Sequence, residues 1–294
     1  MPISIPSSAQ TAFQGNMNES GKIELPFHAP AFYIINGDAK LAALKNFQYY
    51  GGWACGTDKV KAAAESWENC PFPIPGYGTD NLPQTNGSEM EVVSSRKLII
   101  APIGMREYSS LFDQSTGNTR RVPPFTKGAR PGIQVLSVLA YKNENAIHPW
   151  APVLLTAKGY QTNHVKNAIM NWRKAIKPHV QKLVPGANDS ILNLFWMHIG
   201  TFGDVRKQEI VGAGANQKTI TPITAFIPDD ITEQQVEKQY VGEPMAEFMA
   251  DLSAQAQEWL NVFKQPQSAT PVAGHIELED DYSAPPPPED DIPF

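Results

Sequence analysis

The sequence predicts a mainly β protein: an elaborated β-barrel with inserted and C-terminal α-helices, followed by a disordered acidic tail. Three observations lead to this fold class. Five β-rich runs follow one another after residue 91, two stretches have helical spacing of apolar residues, and the composition changes abruptly after Lys264. The β-rich runs are VVSSRKLIIAPI, GIQVLSVLAY, PVLLTA, ILNLFWMHIG and TITPITAFI. Five short strands separated by turn-forming segments suit a small closed barrel.

The segment before residue 91 is predicted to hold little regular structure. Residues 1–25 are polar and contain Gly and Ser, which is typical of a loose arm. Residues 38–47 (DAKLAALKNF) predict a short helix capped by Asp38. Residues 51–90 are rich in Gly, Pro, Asn and aromatic side chains. We interpret them as a long excursion between elements rather than a domain of their own.

Two helices are predicted among the strands and after them. The first covers residues 163–177, because apolar residues recur there at spacings of four, three and four, and Pro178 is expected to end it. The second has a longer amphipathic stripe from Met245 to Phe263, opened by Pro244 in its first turn, and should pack on the body or on a neighbouring protomer. The prediction is therefore one domain over residues 1–264, with the barrel over about 20–228, the C-terminal helix within about 229–264 and the tail over 265–294.

Charge is segregated along the chain, although the net charge is only −6. Residues 275–294 contain seven acids and no Lys or Arg, so the remaining 274 residues hold 24 basic and 23 acidic side chains. Within residues 92–228 there are 17 Lys and Arg against six Asp and Glu. Residues 229–258 reverse this balance, with eight acids and one lysine. A basic block followed by an acidic tail is compatible with a nucleic-acid partner, whereas the total charge alone is not.

Cysteine content and hydropathy exclude several classes of protein. Cys55 and Cys70 are too few for a disulfide framework. They could supply half of a zinc site together with His28, but reduced thiols in or near a core are the favoured interpretation. The N-terminus lacks the charged and apolar regions of a signal peptide, and no apolar run is long enough to cross a bilayer. We therefore expect a cytoplasmic protein without a membrane partner.

The final residues carry the sharpest signal. The tail ends in Glu289 and then the docking tip Asp290, Asp291, Ile292, Pro293 and Phe294. This resembles the C-terminal tip of bacterial single-stranded DNA-binding proteins, in which a disordered tail ends in acids followed by Ile-Pro-Phe. Several bacteriophage DNA-binding proteins similarly end in acids and a terminal Phe. The resemblance implies that the tip recruits replication and repair enzymes and that the protein is DNA-associated, in the cytoplasm of a bacterium or of a phage-infected host. Phe294 offers an apolar ring beside a carboxylate, so a partner needs only an apolar pocket with a basic rim.

The basic block interleaves cations with aromatic residues, as binding of an unpaired strand requires. Cations follow the phosphates while aromatic faces stack on bases, and an OB-like barrel supplies a groove for both. The loop NTRRVPPFTKGARPG is the strongest candidate, because Phe125 has no periodic partner to bury it. The predicted DNA-binding residues are Arg96, Arg106, Tyr108, Arg120, Arg121, Phe125, Lys127, Arg130, Tyr141, Trp150, Lys158 and Trp196.

Burial competes with binding for several of these side chains. Trp172, Trp259 and Phe195 lie on apolar stripes and are expected in the core. Trp196 and His198 share one face of a strand, and Phe195 and Met197 share the other. One pair should face the core, and the sequence leaves open whether Trp196 and His198 are buried or exposed. The basic residues of the first helix are as compatible with a solvated face as with a DNA contact; they are Lys166, Arg173, Lys174 and Lys177.

No catalytic motif stands out. The sequence lacks GxxxxGK[ST], GxSxG and HExxH, and the acids of the basic block are too spread out to hold catalytic magnesium. We therefore expect a non-enzymatic protein without a cofactor that binds single-stranded DNA independently of sequence in replication, recombination and repair. A homo-oligomer is compatible with this expectation. The alternatives are an adaptor that docks partners without holding DNA, and a strand-annealing recombination protein or nuclease that carries a similar tail.

Overall fold

The computed structural model describes residues 25–35, 52–83, 88–113, 118–144, 146–201, 209–211 and 218–263. The predicted helix over 38–47 and the tail over 265–294 lie outside these ranges, as does almost all of the predicted N-terminal arm. The strands are β1 (Ala31–Ile34), β2 (Trp53–Gly56), β3 (Gly78–Pro83), β4 (Glu89–Ser95), β5 (Lys97–Asp113), β6 (Asn118–Val122), β7 (Arg130–Asn143), β8 (Ala146–Lys158), β9 (Met197–Gly200), β10 (Glu209–Val211), β11 (Lys218–Ile220) and β12 (Thr224–Ala225).

Ten of the described strands form one curled, open sheet. Their order is β12-β9-β5-β7-β8-β1-β2-β4-β3, with β6 paired to the outer part of β5. The β1–β8 pair is parallel and the other pairs of this sheet are antiparallel. β10 and β11 form a separate hairpin. The mainly β prediction is confirmed. The sheet is a half-barrel, which is consistent with the predicted barrel-like fold, but it is open and has ten strands instead of five.

The interpretation of residues 51–90 as an excursion is wrong. This segment contributes β2, the helix α1 (Thr57–Ser66), β3 and the start of β4. Every residue of β2 is buried, because the strand pairs with β1 on one side and β4 on the other. The Gly, Pro and Asn residues of the segment suppress a local β signal, but pairing with partner strands decides strand formation when local propensity is weak.

The remaining helices surround the sheet. They are α2 (Gln161–Leu183), a 3-10 helix (Asp189–Leu194), α3 (Glu233–Glu237), α4 (Glu243–Gln255) and α5 (Gln257–Asn261). The predicted first helix is confirmed as α2, but its predicted end at Pro178 is wrong. Pro178 is exposed, while Ile176, Val180 and Leu183 continue the buried stripe past it. Burial of this stripe outweighs the one backbone hydrogen bond that a proline removes.

The run ILNLFWMHIG is also only partly a strand. Its first residues form the 3-10 helix, and β9 begins at Met197. Asn188 caps the 3-10 helix, with its side-chain oxygen accepting a hydrogen bond from the backbone N–H of Ser190 at 3.1 Å. This cap is a local signal for a helical turn that the apolar composition of the run concealed.

The predicted C-terminal helix is present as α4 and α5, with a break at Ala256 and a proline in the first turn of α4. It packs on the body of the protein, which is one of the two placements predicted from the sequence. Leu260 of α5 lies so close to β5 that a Cβ added at Gly104 would come within 2.8 Å of its Cδ2 atom. Within the described ranges, no helix is both long and apolar enough to cross a membrane.

Candidate nucleic-acid interface

The register of β5, β7 and β8 places several predicted residues on one face of the sheet. Arg106, Tyr108 and Ser110 alternate along β5 and therefore point to the same side. Their partners on β7 are Gln134, Gly132 and Arg130, in that order. Arg121 of β6 also lies opposite Ser110, and Lys158 of β8 lies opposite Gly132. Directly opposed residues share a face, so this face carries four cations and one tyrosine.

The other face of the same strands is covered by α2. Lys166 of α2 forms an ion pair with Glu107 at 2.9 Å, and Glu107 points away from its neighbours Arg106 and Tyr108. Ile133, opposite Glu107 on β7, is fully buried on this side. The face that carries the cations is therefore the one opposite α2.

α5 covers the inner part of the cationic face. The Arg106 guanidinium stacks on the ring of Trp259, with its carbon 3.8 Å from the ring centroid. Its Nη1 donates to the Trp259 carbonyl at 3.3 Å, and Nε and Nη2 donate to Oε1 of Gln134 at 3.0 and 2.8 Å. Arg106 is only 5% exposed, and burial together with the charge of Arg121 lowers its pKa to about 9. The prediction that Arg106 offers its charge to DNA is therefore corrected, because this charge is used inside the fold.

Tyr108 lies at the border of the covered part. Its ring crosses Gly132, where an added Cβ would come within 2.5 Å of the Tyr108 Cζ atom. The Arg121 guanidinium lies over this ring, 5.4 Å from the centroid. Tyr108 is only 2% exposed, so its predicted stacking role is also corrected: in this conformation the ring supports Arg121 rather than offering a face to a base.

The loop between β6 and β7 projects an open aromatic ring. Phe125 is 93% exposed and has φ of +63°, a left-handed conformation that costs a non-glycine residue about 1–2 kcal/mol. The turn is nevertheless ordered, since the Thr126 hydroxyl donates to the Pro123 carbonyl at 2.7 Å and the Ala129 N–H donates to the Thr126 carbonyl at 3.1 Å. Lys127 beside it is exposed. The loop holds an unburied ring next to a cation, as the sequence predicted.

The start of β7 adds a second cation and a second open ring. Arg130 is exposed and lies across Gly159, where an added Cβ would come within 3.1 Å of the Arg130 Nε atom. Tyr160, the next residue, is 47% exposed. The Gly159 N–H donates to the Pro131 carbonyl at 2.7 Å and so fixes this corner to β7. Lys158 lies at the end of β8 on the same side.

We define the hairpin cluster as the residues at this end of the sheet. They are Tyr108, Arg121, Phe125, Lys127, Arg130, Lys158 and Tyr160. Four cations with two open rings can follow phosphates and stack on bases at once. Six of its seven members, including Tyr108, are among the DNA-binding residues predicted from the sequence. Tyr160 was not among them, although its place two residues after Lys158 was a usable signal.

One further residue beside the cluster was missed. Tyr33 of β1 lies opposite Thr156 of β8, and Thr156 is the partner of Gln134. Burial raises the pKa of Tyr33, and the positive charge of Arg121 opposes this effect, which places the tyrosine within electrostatic reach of the cluster. A strand of four residues with the sequence AFYI contains no signal that would have identified Tyr33 or its neighbours in space.

The other predicted DNA-binding residues lie elsewhere. Tyr141 stacks on His148 at 5.4 Å at the far end of β7, eleven positions from Arg130 or about 35 Å along the strand. Arg96 lies between β4 and β5 and its carbonyl accepts the N–H of Thr201 at 2.9 Å. Arg120 is on β6, and its side chain is outside the described set. Tyr141 and Arg96 therefore lie outside the hairpin cluster.

Trp150 and Trp196 are buried, at 4% and 3% exposure, which corrects their predicted stacking roles. The Trp150 indole N–H donates to the Pro71 carbonyl at 2.9 Å and holds the segment after α1. Phe195 and Trp196 are both in the core, because the chain turns out of the 3-10 helix here and β9 has not yet begun. The core assignments of Trp172, Trp259 and Phe195 are confirmed.

The basic face of α2 is largely occupied by intramolecular contacts. Lys166 pairs with Glu107, Lys177 pairs with Asp189 at 2.8 Å, and the Arg173 Nε donates to the Asn193 side chain at 3.1 Å. Lys174 is exposed. These contacts favour the structural interpretation of this helix face over a DNA contact.

The cysteines do not form a metal site with the neighbours that the structure describes. Cys55 is buried, and burial raises its pKa to about 12. Cys70 is half-buried and hydrogen-bonded to the Trp150 carbonyl. No group of three or more His, Cys, Asp or Glu residues suited to a metal ion occurs in the described ranges. The docking tip, Asp290 to Phe294, lies outside them.

Comparison with known proteins adds no relative: no family model, no curated protein and no solved structure matches this chain.

Proposed function

We propose that this protein binds single-stranded DNA without sequence preference and that the hairpin cluster is its main contact surface. The supporting observation is the fully exposed Phe125, held by an ordered turn among Arg121, Lys127 and Arg130. Water does not favour an open aromatic ring, and the backbone strain at this residue adds to the cost. A base stacked on the ring would recover about 1–3 kcal/mol while the cations neutralise the phosphates.

The architecture is compatible with this role. A curled, mostly antiparallel sheet can hold an extended strand, as OB-type barrels do. We propose that the sheet is an elaborated version of the OB fold. We also propose that residues 265–294 form a disordered acidic tail whose tip, Asp290 to Phe294, recruits replication and repair enzymes. The protein would act without catalysis and without a cofactor, in a cytoplasmic, DNA-associated setting.

Titration of labelled oligo-dT by fluorescence polarisation across a salt series tests the DNA-binding proposal. The triple variant Arg121→Gln, Lys127→Gln, Arg130→Gln should bind more weakly and have a smaller salt dependence. Each lost phosphate contact to a single strand lowers the slope of log K against log salt by about 0.7, so three lost contacts lower it by about 2. A matched duplex should bind much less tightly than oligo-dT.

The control variant makes the same charge change on the opposite side of the sheet. Lys174→Gln, Lys177→Gln, Lys182→Gln removes three cations from α2 and should leave the slope almost unchanged. Equal losses in both variants would show that total charge rather than the hairpin cluster drives binding. If wild-type protein binds neither oligonucleotide at low salt, the adaptor alternative replaces the proposal, and rapid pairing of complementary strands would support the annealing alternative.

Deletion of residues 290–294 tests the tail separately. Because the acids of the tail compete with phosphates for the basic surface, the shortened protein should bind oligo-dT with equal or higher affinity. Capture of replication or repair enzymes by the wild-type protein should be lost at the same time. Weaker DNA binding after the deletion would contradict the competition between tail and DNA.

A further inference from the structure

A pocket lies at the opposite end of β5 from the hairpin cluster. It has a volume of about 260 Å³ and opens between β5, β9, α2 and the segment that contains α3. Its lining residues are Lys97, Trp172, His198, Phe226, Pro228, Ile231, Gln235 and Gln239. Sites for drug-sized ligands measure roughly 300–1,000 Å³, so this pocket suits a single small ring system rather than a dinucleotide.

Two residues of the pocket lining each carry a buried polar atom without a hydrogen-bond partner. One is the indole Nε1 of Trp172, a side chain only 4% exposed, and the other is the Oε1 atom of Gln239. Leaving a buried donor or acceptor unpaired costs about 1–3 kcal/mol, and the great majority of such atoms in folded proteins are paired. The lining of one pocket therefore carries an unused donor and an unused acceptor.

The surrounding contacts hold this lining in place. The Gln235 side chain is already used, because its Oε1 accepts the Thr232 N–H at 2.9 Å in the cap of α3. The Gln239 carbonyl accepts the Trp196 N–H at 2.7 Å, and the His198 carbonyl accepts the Phe226 N–H at 2.9 Å. The backbone around the unused atoms is thus fixed, which lowers the cost of ordering the site when a ligand binds.

Charge and aromatic surface restrict the ligand further. Lys97 is exposed and adds a positive charge, while Phe226 is 50% exposed and leaves part of its ring open. Burial lowers the pKa of His198, and the charges of Lys142 and Lys97 act in the same direction, so all three favour the neutral imidazole. A planar ring with an acceptor and a donor on one edge and a nearby anionic group fits all of these features.

We propose that this pocket binds a nucleobase, with the base edge hydrogen-bonded to Trp172 Nε1 and Gln239 Oε1 and the phosphate near Lys97. Each of the four bases carries a donor and an acceptor on its pairing edge. The inference deepens the proposed function where the base belongs to a bound single strand. A free nucleotide is the other source of the same chemistry.

The indole N–H signals in an amide-type NMR spectrum give a direct readout. The Trp172 signal is assigned as the one lost in Trp172→Phe, which keeps an aromatic ring and removes the N–H. Adding dTMP or oligo-dT should shift this signal as the N–H gains an acceptor. The Trp172→Phe variant should bind the ligand that shifts the signal about tenfold more weakly, as expected for one lost hydrogen bond.

Trp53→Phe is the matched control. The Trp53 indole N–H is also buried without a hydrogen-bond partner, but Trp53 is in β2 and is not part of the pocket lining. This variant should bind both ligands as the wild-type protein does. Gln239→Leu provides a second test from the acceptor side, should Trp172→Phe fold poorly, and is expected to weaken binding to a similar extent.

The outcomes separate the pocket from the proposed function. A shift with oligo-dT alone supports the pocket as a site for a base of the strand, and a shift with dTMP supports it as a site for a free nucleotide. Binding of oligo-dT without any shift of the Trp172 signal overturns the pocket and leaves the proposed function intact. Binding of dTMP with a shift of the Trp172 signal, but without binding of oligo-dT, supports the pocket and overturns the proposed function. Equal weakening in Trp53→Phe and Trp172→Phe also overturns the pocket.

Discussion

Arg106 and Arg121 lie on the same face of the same sheet, but Arg106 is buried and Arg121 is exposed. Arg106 is buried against Trp259, with its donors directed to Gln134 and to a backbone carbonyl. Arg121, one strand away and beyond Tyr108, is exposed. The difference arises from α5, which covers the sheet at Gly104 and Arg106 and does not reach the hairpin end. Strand register therefore groups cations on a face, and the helix packed on that face decides which of them meet solvent.

This comparison explains why several predicted contacts are buried. Interleaved cations and aromatic rings are needed both for binding an unpaired strand and for packing a helix onto a polar sheet face. Arg106 with Trp259 has the same chemistry as a cation beside a stacking ring, but both groups belong to the protein. Residue type does not distinguish groups that bind an unpaired strand from groups that pack a helix on the sheet. The solvent exposure of their side chains does.

The largest effect on stability is expected from removing the Trp259 ring, with which α5 covers Arg106. Trp259→Ala deletes a buried ring and leaves the Arg106 guanidinium without its stacking partner, so the free energy of unfolding should fall by about 3–5 kcal/mol. Urea denaturation followed by circular dichroism measures this change. Trp259→Phe, which keeps a ring over Arg106, should lose less. A loss below about 1 kcal/mol for the alanine variant would show that α5 contributes little to the covered part of the face.

A smaller effect is expected at the border between the two parts. The Tyr108 ring crosses Gly132, so Gly132→Ala must displace the ring and with it the support of Arg121. We expect a loss of about 1–3 kcal/mol in the free energy of unfolding, as is typical when a packed site is overfilled. Gly128→Ala is a useful reference, because an added Cβ there meets no atom within 4 Å, although its φ of +75° adds backbone strain. A loss at Gly132 no greater than at Gly128 would contradict the packing argument.

The smallest effect on stability, with a clear effect on binding, is expected at Phe125. Phe125→Gly removes a ring that contacts little and allows the left-handed backbone without strain, so the protein should be as stable as wild type or up to about 1 kcal/mol more stable. The same variant should lose the binding energy of one stacked base, about 1–3 kcal/mol for oligo-dT. Thermal denaturation and fluorescence polarisation measure the two changes on the same preparation.

The Phe125 result discriminates between the two parts of the face. Weaker DNA binding together with unchanged or raised stability would identify an aromatic residue kept exposed for a ligand. A marked loss of stability with unchanged DNA binding would instead place Phe125 with Trp259, as a residue whose ring is needed by the fold.

Much of this protein was predictable from local sequence. The β-rich apolar runs of β7 and β8 and the helical spacing of Val165, Ile169 and Trp172 predicted elements that the structure contains. The open ring of Phe125 followed from a loop sequence rich in Gly and Pro, where an apolar residue has no periodic partner to bury it. Local periodicity reports which residues can share a face, because it is set by the backbone geometry of helices and strands.

The tertiary structure decided the remainder. β2 is a central strand only because β1 and β4 pair with it, although its flanking sequence resembles a loop. Arg106, Tyr108, Trp150 and Trp196 are buried because distant segments lie over them, and Tyr33 approaches Arg121 through a parallel pairing between β1 and β8. These contacts join residues far apart in the chain, so no local pattern encodes them. Composition determined which chemical groups the basic block contains, and long-range packing determined which of those groups remain at the surface.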